Sequence, residues 1–136
     1  ADGVHVHAAS LRVALAAKPR GKVFLVTDAM PPVGSDDPSW VLYGETITVR
    51  DGVVRNAAGS LAGSALDMLT AVRNAIAMLG LPLAEAARMA STYPADFLGL
   101  SCSHGRIADG YRTDLVRLDA DLNLRGTWIA GQHQPH

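Results

Sequence analysis

The stretch Lys22-Val23-Phe24-Leu25-Val26-Thr27-Asp28-Ala29-Met30-Pro31-Pro32-Val33-Gly34 decides how the chain is read. Residues 22–27 are a near-continuous apolar run, the pattern of a parallel strand buried on both faces. The run ends on an acidic residue, Asp28, and breaks at once into a Pro- and Gly-rich loop. Parallel α/β proteins place their reactive groups there, where a strand opens into its loop. Asp28 is therefore the first candidate catalytic residue, weighed against the plainer reading of an Asp that turns the chain after a strand.

On the N-terminal side, residues 3–7 form a short β-branched stretch, and residues 8–18 space Leu11, Ala14, Leu15 and Lys18 helically. Ser10 lies too late to cap that helix, and Pro19-Arg20-Gly21 stops it. On the C-terminal side, residues 40–43, 46–50 and 53–56 read as short strands, with Asp51-Gly52 a two-residue hairpin turn. A loop over 57–64 leads into a helix whose Leu66, Leu69, Val72, Ile76 and Leu79 share one face and which Gly80 ends. A second helix, 83–91, is read as burying Leu83, Ala86, Ala87 and Ala90. Pro94 opens a short third helix that Gly99 closes. Residues 114–119 and 124–130 are strands about a turn at Ala120-Asp121, and 133–136 a disordered tail. The four Met residues read as core filler. Two strand–helix units cannot close a parallel sheet, and a (β/α)8 barrel takes roughly 250 residues. The chain thus reads as an α/β piece of something larger.

Composition limits the classes of function. A net charge of −1 with 18% charged residues leaves no electrostatic footprint for nucleic acid or anionic membrane. The apolar runs are too short to span a bilayer, and no signal-peptide pattern opens the chain. Cys102 is the sole cysteine, which precludes an internal disulfide and suits a reducing cytoplasm.

Three further features bear on chemistry. His5 and His7 alternate on one stretch, so both could face one ion, although a substrate or core contact is the commoner use of such a His. Leu61-Ala62-Gly63-Ser64 precedes a helix and could offer backbone N–H groups to a polar ligand; the alternative is a tight turn with a Ser cap. Cys102 and His104 lack the second pair that a metal site needs.

Taken together, Ala1-Asp2-Gly3-Val4-His5-Val6, residues 25–34, Leu61-Ala62-Gly63-Ser64-Ala65-Leu66, Ala71-Val72-Arg73-Asn74 and residues 88–95 resemble the N-acetylglucosamine-6-phosphate deacetylases of the amidohydrolase superfamily. Pro94-Ala95, Leu98-Gly99, Gly105-Arg106-Ile107, Gly110 and Asp114-Leu115-Val116 follow a pattern shared by many amidohydrolases. The resemblance implies an α/β fold: the C-terminal part of a (β/α)8 TIM barrel over residues 1–104, with a β-hairpin insertion near 40–56, then strands of a small β-sandwich over 105–132 and a tail, 133–136. Residues 3–6 and 23–28 fall on barrel strands seven and eight.

The resemblance also assigns roles. Asp28 matches the catalytic aspartate, His5 a substrate-contacting histidine, and Leu61, Ala62 and Gly63 the segment lining the sugar-phosphate site; His7 carries no role. The implied reaction is metal-dependent hydrolysis of the N-acetyl group of N-acetylglucosamine 6-phosphate, in amino-sugar catabolism or cell-wall recycling. The divalent metal, Zn or Fe, is held in that family by a Glu and two His on earlier strands, so the chain supplies no metal ligand and is expected to be inactive alone. The implied partners are the sugar phosphate and a further copy of the chain in a cytoplasmic homo-oligomer, with no nucleic acid and no membrane. Two other readings stand beside it: an amidohydrolase acting on a different amide, and a non-catalytic scaffold.

Overall fold

Three hairpins of one kind organise the β structure in a computed structural model that describes residues 1–135. Strands β1 (Ser39–Leu42), β2 (Glu45–Arg50), β3 (Val53–Arg55) and β4 (Leu61–Ser64) form an antiparallel meander in that order. Strands β5 (Leu115–Leu118), β6 (Leu124–Ile129) and β7 (Gln132–Gln134) form a second antiparallel sheet. The tight turns are Tyr43-Gly44 (φ 50° and 84°), Asp51-Gly52 (52° and 73°) and Ala130-Gly131 (51° and 80°). Two successive left-handed residues make a type I′ turn, whose twist matches that of the flanking strands. Only Asp51-Gly52 was legible beforehand, because Asp tolerates positive φ whereas Tyr and Ala enter it under the pull of the strands.

Four helices supply the packed part: α1 (Ala8–Ala17), α2 (Met68–Leu79), α3 (Leu83–Ala90) and α4 (Thr92–Phe97). His7 caps α1, its ring Nδ1 accepting from the Ala9 N–H at 3.2 Å. Asp67, rather than Ser64, caps α2 by accepting from the Thr70 N–H at 2.9 Å. Gly80, at φ 72°, closes α2. Ala71, Ala75 and Ala86 are wholly buried, and these small side chains let α2 and α3 approach closely around Leu25, Val72, Met89 and Tyr93.

The face of α3 differs from the sequence expectation. Ala86 and Met89 are buried, whereas Leu83 is 48% exposed and Ala87 is exposed. An i, i+3 pair now leads the face, with Met89 filling the space beside Leu25. Met89 alone of the four methionines is fully core, and Met68 is exposed.

Two expected strands are absent as ladders. Residues 3–6 form a bend, in which the Asp2 carboxylate accepts from the backbone N–H groups of Val4 and His5. Residues 22–27 are irregular. Leu25 is buried and its N–H donates to Met89 O at 2.9 Å, while Val26 is 62% exposed, so the run is covered on one side only. A strand is a pairing, and among the described residues no strand pairs with either segment; one parallel bridge, Ala29 to Ser64, lies just beyond the second. Residues 61–64, read as loop, are strand β4. The tail is also corrected: His133 and Gln134 belong to β7, where His133 stacks on Trp128 at 5.0 Å, and His136 lies outside the described residues.

Candidate active site

Asp28 sits at the point where residues 22–27 lead to β4. Its φ is 53°, a left-handed conformation that Asp tolerates better than most side chains. The conformation is held from both sides: Ser64 N–H donates to Asp28 O at 3.1 Å, and Met30 N–H donates to Ser64 O at 2.9 Å. The Ala29 N–H adds a 3.3 Å bond to Thr27 Oγ1. Strained backbone of this sort persists where neighbouring structure over-determines it.

The Asp28 side chain is exposed, and among the described residues no hydrogen bond or ion pair ties its carboxylate down. Two acids lining the adjoining cleft are committed to local bonds. Asp67 caps α2 and also accepts from Thr70 Oγ1 at 2.5 Å, and Asp37 accepts from the N–H and hydroxyl of Ser39. Burial raises the Asp67 pKa, but the hydrogen bonds from Thr70 outweigh it and hold the group below the usual carboxylate range.

Ser64 of β4 lies beside Asp28 through the same bridge, with Gly63 next to it and Ala62 and Leu61 further along the strand. Gly63 has φ +94°, and a Cβ there would overlap the Met30 side chain and sit 3.7 Å from Asp28 O. Ser64 is buried, its Oγ accepting from the Leu66 N–H at 2.9 Å. The loop after Asp28 borders a cleft of about 530 Å³ lined by Pro32, Ser35, Asp37, Val49 and Asp67.

His5 does not pair with His7. Its Nδ1 lies 2.5 Å from Asp2 Oδ2, whereas His7 is spent on the α1 cap. Burial opposes ionisation of Asp2, yet the bonds from the His5 ring and from two backbone N–H groups prevail and lower its pKa. No hydrogen bond joins His5 to Asp28 among the described residues; the Asp28 backbone meets β4 at Ser64 and Gly63, and His5 lies on the segment before α1. Cys102 is exposed and His104 Nδ1 lies 2.8 Å from Ser103 Oγ. Sequence reading missed Asp2, Met30 and Ser64; the Asp-Gly turn just ahead of His5 was the available signal for Asp2.

At the other end of the 22–28 segment, Glu85 accepts from Arg20 at 2.5 Å, from Tyr93 Oη at 2.6 Å and from Arg88 at 3.2 Å. Arg20 first and Tyr93 second pull its carboxyl down to about 2. This cluster joins the turn at Gly21 to α3 and α4, and its groups are mutually satisfied.

The Amidohydrolase family model matches residues 3–133, and the chain belongs to that family. Within it, the chain is similar to a putative N-acetylgalactosamine-6-phosphate deacetylase of Escherichia coli (strain K12), 41% identical over 97% of this chain and 78% of that protein. It is also similar to the N-acetylglucosamine-6-phosphate deacetylase of Vibrio furnissii, 35% identical over 97% of this chain and 33% of that protein. The crystal structure of N-acetylglucosamine-6-phosphate deacetylase from Pasteurella multocida superposes with a TM-score of 0.92 at 36% identity, covering 99% of this chain and 35% of that one. Apart from the first, these proteins are about three times the length that the chain spans.

Proposed function

We propose that the chain is the C-terminal portion of an enzyme that hydrolyses the N-acetyl group of N-acetylglucosamine 6-phosphate to glucosamine 6-phosphate and acetate. The observation that carries the reading is the Asp28 carboxylate, exposed and uncommitted, on a backbone pinned to Ser64 next to Gly63. In this reading residues 1–104 are the last strands and helices of a (β/α)8 barrel and 105–132 belong to a β-sandwich. Support comes from 35–44% identity to eight proteins named as amino-sugar phosphate deacetylases, over 96–97% of the chain.

Asp28 accepts a proton from the attacking water and delivers it to the departing amine, so one carboxylate acts as base and then as acid. Leu61, Ala62 and Gly63 line the sugar-phosphate side, and His5 contacts the substrate. Amidohydrolases are generally metal-dependent. The described residues do not fit that requirement by themselves: no group of three or more His, Cys, Asp or Glu is placed to hold an ion. By the resemblance, a Glu and two His on barrel strands preceding these residues would hold the Zn or Fe, which would activate the attacking water. The reading places the enzyme in the cytoplasm as a homo-oligomer; no helix among the described residues is long and apolar enough to cross a membrane.

A second reading, the C4 epimer N-acetylgalactosamine 6-phosphate, is favoured by one observation. The relatives named for galactosamine are 41–44% identical, and those named for glucosamine 35–39%. Assaying the full-length enzyme with both epimers, and with each unphosphorylated sugar, separates the readings. Amine release from neither phosphorylated sugar would sink both.

A further inference from the structure

The bend over residues 2–5 brings a carboxylate against an imidazole ring. One oxygen of Asp2, Oδ1, accepts from the backbone N–H groups of Val4 and His5 at 3.1 and 3.2 Å. The other, Oδ2, faces the His5 ring, 2.5 Å from Nδ1. Gly3 makes the bend possible at φ +78°, with its Cα side packed against the end of Met78. The Asp2 side chain is 18% exposed and the His5 side chain 35%, so the carboxylate lies beneath a ring that still reaches solvent.

The division of labour between the two oxygens has a chemical consequence. An ionised carboxylate only accepts, so the ring nitrogen facing Oδ2 carries the proton. Which ring nitrogen is protonated is set by the bond that the other one makes. With Nδ1–H committed to Asp2, the ring has a single position left for anything outside, Nε2. The backbone bonds to Oδ1 fix the carboxylate itself, so the ring plane is set by the fold and not by the ligand.

From this geometry we infer that Asp2 is a positioning residue: it locks His5 as the Nδ1–H tautomer and presents Nε2 to the substrate. The inference rests on the proposed role of His5 as a substrate contact, but its structural half stands independently.

The test uses the conservative variant Asp2→Asn. The amide oxygen can still accept from Val4 and His5, while the amide nitrogen, a donor, replaces Oδ2 opposite the ring. Nitrogen-15 spectra of the chain, taken at about pH 9 where imidazoles are neutral, with His5 assigned through His5→Gln, report the tautomer. Wild type should show the proton on Nδ1, and Asp2→Asn should move it to Nε2. Asp2→Ser, which keeps the turn but cannot reach the ring, should give a mixture. A wild-type ring protonated on Nε2, or variants with the wild-type tautomer, would overturn the assignment, and the wild-type measurement decides even if a variant fails to fold. In the full-length enzyme, Asp2→Asn should raise KM for the sugar phosphate about tenfold with kcat changed less than threefold; an unchanged KM with a shifted tautomer refutes the positioning role. If the wild-type full-length enzyme shows no deacetylation, the functional reading has failed, and the tautomer result stands apart from it.

Discussion

Ser64 and Asp28 hold each other by backbone groups alone: the Ser64 N–H donates to Asp28 O, and Ser64 O receives the N–H of Met30, two residues on. This bridge turns an irregular segment into a fixed platform. A left-handed Asp costs on the order of 1 kcal/mol, and the two bonds, with Ser64 buried at 5% exposure, keep the chain there. The side chain consequently leaves the backbone in one direction and stays free of architectural duties.

Replacing that side chain is the most direct test of the proposed chemistry. Asp28→Asn keeps the size and the tolerance for positive φ but removes the proton acceptor. The full-length enzyme should lose about a thousandfold in kcat, or roughly 4 kcal/mol of barrier. A loss below tenfold would mean that another group is the base. Melting of the variant should stay near wild type, because the carboxylate is exposed and unpaired.

Gly63 is the neighbour least able to change. At φ +94° any L side chain is strained, and a Cβ would overlap Met30, the residue whose N–H closes the bridge. Gly63→Ala should destabilise the chain by about 1–3 kcal/mol and lower kcat more than tenfold in the full-length enzyme. Adding Met30→Ala should recover part of both, since it removes the overlapping atoms but not the backbone strain. Denaturant midpoints and kcat for the single and double variants measure this coupling.

Arg73 offers a test of how the second sheet is attached. Its guanidinium, on α2, donates to Leu122 O at 2.6 Å in the turn between β5 and β6. That turn is otherwise held by Asp119, which accepts from the backbone N–H groups of Asp121 and Asn123. Arg73→Met should keep the aliphatic packing and lose the bond, at a cost of about 1–2 kcal/mol. Hydrogen exchange should quicken in β5 and β6 while α2 and α3 keep their protection. Uniform exchange in both regions would show that Arg73 does not join them.

How far the sequence disclosed this architecture follows from what each element depends on. The helices were legible because their apolar spacing and Gly80 are local signals, although α4 begins at Thr92, two residues ahead of Pro94, and Asp51-Gly52 announced its own hairpin. The segments at 3–6 and 22–27 were read as strands from composition, but strand pairing is not a local property, and among the described residues only Ala29 finds a partner. β7 was hidden for the converse reason: Gln132, His133 and Gln134 carry no apolar pattern and are strand only because β6 offers them an edge. At the site, Asp28 stood out by position. Asp2 did not, because its importance lies in which atoms it faces.

Acid should weaken the chain through Glu85, whose pKa is depressed from the usual 4.5 to about 2, chiefly by Arg20. A carboxyl with a lowered folded-state pKa contributes stability that is fully present above its unfolded value and fades as pH falls through the folded one. The Glu85 contribution should therefore be complete near pH 6, decline through about pH 4.5, be mostly lost at about pH 2 and vanish below it. Arg20 is largely exposed, so solvent screening holds the charged part of this contribution to about 1 kcal/mol. Glu85→Gln keeps an acceptor for Tyr93 and removes the charge. Unfolding curves of the variant and wild type should differ at pH 6 and converge only below about pH 2; a gap that persists there at full size would mean that Glu85 acts by packing and hydrogen bonding rather than by charge.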